Sequence, residues 1–196
     1  MKFYESGDNR KPVIFLFPGT CCLYSSFDHV LDGLHSYFYT VTVSYDGFDP
    51  NEKTEFYSME DECEKIEQEI RKKYGGRIYL VAKIQSSMVV PFMYKMVHTG
   101  TLPKFMQKKL DKTDGGKKEL YNGFLNMFGI GKGGSPWITK QSIYNQFYSD
   151  LVTKVQHGID VPGTTIHVFY ATKMGEKYEK RYCTYFKNPE IGRAHV

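Results

Sequence analysis

Residues 12–19 read Pro-Val-Ile-Phe-Leu-Phe-Pro-Gly. Five apolar side chains in a row, with no polar alternation, describe a strand covered on both faces. That is the condition of a strand inside a parallel sheet. Pro18 and Gly19 end it with turn chemistry. Downstream, Phe27, Val30, Leu31 and Leu34 recur at helical spacing within residues 25–37, which predicts a helix. Residues 39–45, Tyr-Thr-Val-Thr-Val-Ser-Tyr, are β-branched and aromatic and predict a second strand, which leaves through Asp46-Gly47, a turn signal. The next helix opens with Ser58 as cap and Glu60, Asp61 and Glu62 at the positive end of the dipole. Met59, Cys63, Ile66 and Ile70 form its apolar stripe. Arg71, Lys72 and Lys73 suit the negative end, and Gly75 is placed to close the helix in the left-handed conformation. A third strand at residues 78–81 and an apolar helical stretch at 88–97 complete a strand–helix alternation. Such an alternation means a parallel sheet with crossover helices.

After His98 the pattern loosens. Residues 104–118 are polar and basic, and residues 123–134 are rich in glycine. Ser135 and Pro136 then start a helix, with Ile143, Phe147, Leu151 and Val155 as its buried stripe and His157-Gly158 as its end. Residues 165–171 predict a fourth strand and residues 177–186 a final helix. These features predict a single α/β domain over residues 1–191: a mostly parallel sheet with flanking helices and a helical cap at 99–158. The closing Glu-Ile-Gly-Arg-Ala-His-Val reads as foreign sequence, so residues 192–196 are set aside from the fold.

Composition narrows the function. A chain of 196 residues can bury one substantial core. Its 26 basic residues against 22 acidic ones are scattered, unlike the one-sided basic surface that nucleic acid requires. Cys21, Cys22, Cys63 and Cys183 show no CxxC spacing for zinc. No apolar run is long enough to span a bilayer and no signal peptide opens the chain, so the expected location is the reducing cytoplasm. Gly129 to Ser135, Gly-Ile-Gly-Lys-Gly-Gly-Ser, lacks the order of a phosphate loop and no strand precedes it. Neither a metal nor an organic cofactor is expected.

Four stretches, in order, carry a resemblance: Val-Ile-Phe-Leu-Phe-Pro-Gly-Thr-Cys-Cys (13–22), Tyr-Thr-Val-Thr-Val-Ser-Tyr-Asp-Gly-Phe-Asp (39–49), the helix at 58–76, and Arg-Ile-Tyr-Leu-Val (77–81). Together they resemble the first half of an α/β-hydrolase of the serine type. The resemblance implies an α/β-hydrolase-like fold, in truncated form, and hydrolysis of an ester, thioester or amide by serine attack on a small-molecule acyl substrate. It places Thr20 and Cys21 on the loop that supplies an oxyanion-hole amide. It also implies a G-x-S-x-G nucleophile elbow after residue 81. There the chain has Ala82, Lys83 and Ile84, with isoleucine at the nucleophile position. A β-branched side chain resists the strained elbow and cannot attack a carbonyl. Either the elbow degenerated in place, or residue 81 is joined directly to a later, cap-like segment. Ser86 is a candidate nucleophile, against the alternative that Ser86 and Ser87 simply cap a helix. Glu176 is the candidate triad acid, against a surface glutamate that starts a helix. No strand and histidine follow in the place where the family keeps its base, and His195 belongs to the excluded tail. The expectation is therefore an inactive member of the fold. The alternative is a module that binds small molecules without chemistry. A sheet lacking strands would also expose an edge through which the chain self-associates.

Overall fold

The computed structural model describes residues 1–75, 78–82, 137–154, 156–171 and 176–194. They fall into two compact units, Met1–Val152 and Thr153–Val196.

In the first unit, strands β1 (Lys2–Ser6), β2 (Val13–Phe17), β3 (Tyr39–Ser44) and β4 (Ile78–Ala82) form a sheet in the order β1-β3-β2-β4. The β2–β3 and β2–β4 pairs are parallel, as the uninterrupted apolar run of β2 predicts. β1 runs antiparallel to β3, from Lys2 opposite Ser44 to Ser6 opposite Thr40. The sequence reading has no strand there, because Lys-Phe-Tyr-Glu-Ser is too short and too polar to stand out. Its polarity fits an edge strand, which needs only one neighbour and profits from charge on its open side.

The parallel strands send alternate side chains to opposite faces. Ile14 and Leu16 meet Phe27, Leu31, Leu34 and Phe38 on the face covered by a 3-10 turn (Tyr24–Phe27) and helix α1 (Asp28–His35). Phe15, Val41 and Val43 meet Ile66, Ile70 and Tyr74 on the other face, covered by α2 (Met59–Lys73). Helices on both faces are what right-handed crossovers between parallel strands produce. At the end of α1, Ser6 Oγ lies 2.9 Å from His35 Nε2 and 2.7 Å from Thr40 Oγ1. His35 thus pins the last turn of α1 to β1 and β3, a structural role.

Helix α2 begins as its sequence predicts, with the Asp61 N–H donating to Ser58 Oγ at 3.2 Å. Two details differ. Cys63 is exposed and Glu62 is fully buried in its place, because Glu62 accepts the Asp46 N–H at the end of β3. The helix also stops at Tyr74, with φ −127° and ψ 47°, so Gly75 is not its left-handed cap.

Helix α3 (Lys140–Val152) begins five residues beyond Ser135, capped by Thr139, whose Oγ1 accepts the Ser142 N–H at 3.0 Å. Its buried residues are Ser142, Ile143, Gln146, Phe147 and Ser149. The expected stripe holds at Ile143 and Phe147 and fails at Leu151, which is exposed. Val155 lies outside the described residues, as do the stretch at 88–97 and residues 99–136 of the expected cap.

The second unit is a βαβ element: β5 (His167–Ala171), α4 (Glu176–Tyr185) and β6 (Glu190–Ala194), with β5 and β6 parallel. Val168 and Tyr182 pack with Ile166, Phe186 and Ile191. Strand β6 corrects the expectation that no strand follows α4, and it takes in residues 192–194 of the tail that was set aside. Gly192 and Arg193 interrupt the apolar run by which a strand is recognised. Pairing with β5 supplies the hydrogen bonds regardless of what the side chains are.

Candidate functional site

In an open α/β sheet, ligands bind outside the carboxyl ends of the parallel strands. Among the described residues two loops leave those ends. The first follows β2: Pro18, Gly19, Thr20 and Cys21. It turns sharply, with the Cys22 N–H donating to Gly19 O at 2.9 Å and Cys21 at φ 57°. A cysteine in that left-handed region is strained. The second follows β3: Tyr45, Asp46 and Gly47, the last at φ 78°. A Cβ at Gly47 would collide with Ser142 Oγ and crowd the Phe56 N–H, so only glycine lets α3 come this close.

Helix α3 seals both loops. Cys21, Phe48, Phe56, Ile138, Ile143 and Phe147 make one buried apolar cluster, with Leu23, Tyr45, Met59 and Trp137 around it. A row of polar side chains at helical spacing runs beside it. Ser142 Oγ accepts the Phe56 N–H at 3.1 Å, and Asn145 Nδ2 donates to Phe56 O at 2.8 Å. Ser149 Oγ accepts the Met59 N–H at 3.3 Å. Gln146 Oε1 accepts the Cys21 N–H at 2.6 Å, and Asp150 Oδ2 accepts the Thr20 hydroxyl at 2.6 Å. Gln146 is fully buried. Thr20 and Cys21, the residues expected to serve an oxyanion, stand together beyond the carboxyl end of β2, and side chains one helical turn apart occupy both.

The electrostatics of this end are acidic. Burial, then the charge of Asp150, push the Cys21 thiol well above its ordinary value. Cys21 is therefore an inert thiol. Burial also raises the Asp150 carboxyl, opposed by the Thr20 hydroxyl. Tyr45 is raised by burial and by neighbouring Glu62.

A second cluster was not legible in sequence. Carboxylate oxygens of Asp46, Asp61 and Glu62 lie within 4.8 Å of one another, a grouping that could hold a cation. The protein fills it with its own. Lys65 Nζ contacts Asp46 Oδ2 at 2.5 Å, Glu62 Oε1 at 3.4 Å and Asp61, and the Met1 ammonium contacts Asp46. Burial lifts Glu62 to about 7, with the Asp46 N–H working against it. Burial would lift Asp46 too, but Lys65 and the Met1 ammonium hold it below the usual carboxylate range. Lys65 stands four residues after Asp61 and three after Glu62, a spacing at which helical side chains meet; nothing local points to Asp46.

An open cleft of about 500 Å³ lies at the other end of the strands, against Val13, Tyr39 and Ile78. Its carboxylate, Glu5, already accepts the hydroxyls of Tyr39 at 2.7 Å and Tyr74 at 2.5 Å. Of the remaining candidates, Glu176 is the exposed first residue of α4 in the second unit. Ser86, Ser87, Ile84 and the glycine-rich 129–135 lie outside the described residues.

No family model matches the sequence, and no curated protein matches it. Solved structures do. An alpha/beta hydrolase family protein from Desulfitobacterium hafniense superposes with a TM-score of 0.60 at 9% identity, over 98% of this chain and 90% of that one. A marine microorganism esterase gives 0.61 at 12% identity, over 98% and 90%. The enol-lactonase from Burkholderia xenovorans LB400 gives 0.61 at 10% identity, over 98% and 87%. Sheet order, flanking helices and these likenesses define the class: the protein has the α/β-hydrolase fold.

Proposed function

We propose that the chain follows the serine-hydrolase plan for small acyl compounds (esters, thioesters or amides), and that in this form it does not turn them over. One observation carries the reading. The Cys21 amide, in the place where the fold keeps an oxyanion donor, is buried and spent on Gln146 Oε1 at 2.6 Å. A developing oxyanion needs a donor aimed at free space. The sequence around residue 84 adds to this, since isoleucine stands where the attacking serine belongs. Removing one member of a triad costs roughly 10⁴-fold or more in rate. The four unpaired thiols suit a reducing compartment, and no helix among the described residues is long and apolar enough to cross a membrane.

A second reading, a binding module without chemistry, is favoured by the neutral carbonyl that the loop already holds. Incubation with a fluorophosphonate probe, followed by peptide mass spectrometry, tests the first. No serine should be labelled, and p-nitrophenyl acetate should be hydrolysed at the buffer rate. Stoichiometric labelling at Ser86, or at any other serine, would overturn the inactive reading.

A further inference from the structure

Gln146 presents a particular chemical group to the Cys21 amide. Beyond Cβ its side chain is a methylene and a primary carboxamide, so the N–H at this loop is bound to a neutral carbonyl oxygen. One turn along α3, Asp150 binds the adjacent Thr20 hydroxyl. Among the described residues no ammonium or guanidinium group contacts Asp150; Lys65 and the Met1 ammonium, the cations at the end of β3, are committed to Asp46, Asp61 and Glu62. The titratable groups that feel the charge of Asp150 are Cys21 and Tyr45, neither of them cationic. An uncompensated carboxyl beside a hydrogen-bond donor tolerates a dipole there and repels an anion.

We propose that the Thr20–Cys21 loop is a carbonyl-binding site which Gln146 fills from within, and that Asp150 makes it selective for neutral carbonyls, amide or ester, over carboxylates. This rests on reading the loop as the acyl-binding loop of the fold. An external acyl compound enters by displacing the Gln146 carboxamide, its chemical equivalent. A free acid, the product of acyl hydrolysis, is turned away by Asp150. Gln146 is thus a built-in competitor, and Asp150 a specificity-determining residue that need not touch a reacting atom.

The test uses the full chain with Gln146→Ala, which leaves a space shaped for acetamide, and follows the Cys21 amide by ¹⁵N correlation spectroscopy and the melting temperature. Acetamide should shift the Cys21 resonance saturably and raise the melting temperature of Gln146→Ala, while acetate binds about tenfold more weakly or worse. Adding Asp150→Asn should strengthen acetate by about tenfold and leave acetamide unchanged. Equal binding of acetate and acetamide to Gln146→Ala, or binding of neither, overturns the proposal. So does an Asp150→Asn exchange that leaves acetate where it was. Gln146→Ser serves the same purpose if the alanine variant does not fold. If both unfold, the parent chain decides: a Cys21 resonance moved by molar acetamide and not by acetate supports the proposal, and any other response overturns it. Fluorophosphonate labelling of the parent would sink the inactive reading alone; absent acetamide binding in an unlabelled protein would sink this one alone.

Discussion

Glu62 is a fully buried carboxyl on α2 beside Asp46 and Lys65, with the Asp46 N–H and Tyr45 against it and the Met1 ammonium on Asp46. Burial holds its proton up to about pH 7, whereas an unfolded glutamate releases it near 4.5. Between those values the folded chain binds more protons than the unfolded one, so stability falls as pH rises from about 4.5 to about 7. Asp46 has the opposite sign: it is held low by Lys65, and its contribution is lost only at acid pH. Glu62→Gln keeps an acceptor for the Asp46 N–H and should flatten the decline. Urea unfolding of parent and variant at pH 5 and pH 7.5 reads this directly, and an unchanged difference between the two pH values would refute it. Asp150 is shifted the same way, so some slope should remain. At this scale the sequence was half legible. Thr20 and Cys21 are visible because Pro-Gly after an apolar strand marks the loop. Gln146 and Asp150 are not, because they reach that loop from more than a hundred residues away. Glu62 looks like one more acid suited to a helix start, and only the end of β3 makes it a core residue.

Helix α3 teaches the element-scale lesson. Its apolar residues at 143, 147 and 151 suggest a single greasy stripe. The buried face is instead rotated toward Ser142, Gln146 and Ser149. Loops arriving at strand ends carry unpaired N–H and C=O groups, and a helix covering them must offer partners as well as apolar surface. Periodicity of hydrophobic residues cannot register that demand. Phe147→Ala, which empties a site in the apolar cluster, should cost about 3–5 kcal/mol of stability. Leu151→Ser, on the open side, should change it by no more than about 0.5 kcal/mol. Denaturant midpoints for the two variants test the orientation; comparable losses would mean that the face is assigned wrongly. Strands β2, β3 and β4 and helix α2 were predictable because propensity, periodicity and caps agree within each segment. β1 and β6 were not, because each takes its identity from its neighbour's hydrogen bonds.

For the molecule as a whole, the two margins of the four-stranded sheet differ in chemistry. β1 carries Lys2 and Glu5 on one margin. β4 carries Tyr79, Leu80 and Val81, which are 44%, 61% and 43% exposed. Among the described residues β4 pairs only with β2. Exposed apolar side chains on such a strand can template pairing with another chain, and we propose that the chain self-associates through β4 at high concentration. Leu80→Lys should weaken it by roughly fivefold, because a two-fold pairing sets like charges opposite each other. Sedimentation velocity over a concentration series measures the effect, and an association unaffected by the lysine would place the interface elsewhere.

The four thiols are distributed unevenly in reactivity. Cys21 is buried and Cys22 partly so, while Cys63 on α2 and Cys183 on α4 are exposed, one in each compact unit. Maleimide dyes would therefore attach first at just those two positions without any engineered cysteine. A donor and acceptor placed there convert the spacing between the units into a fluorescence ratio, so the native chain comes already fitted with its own molecular ruler.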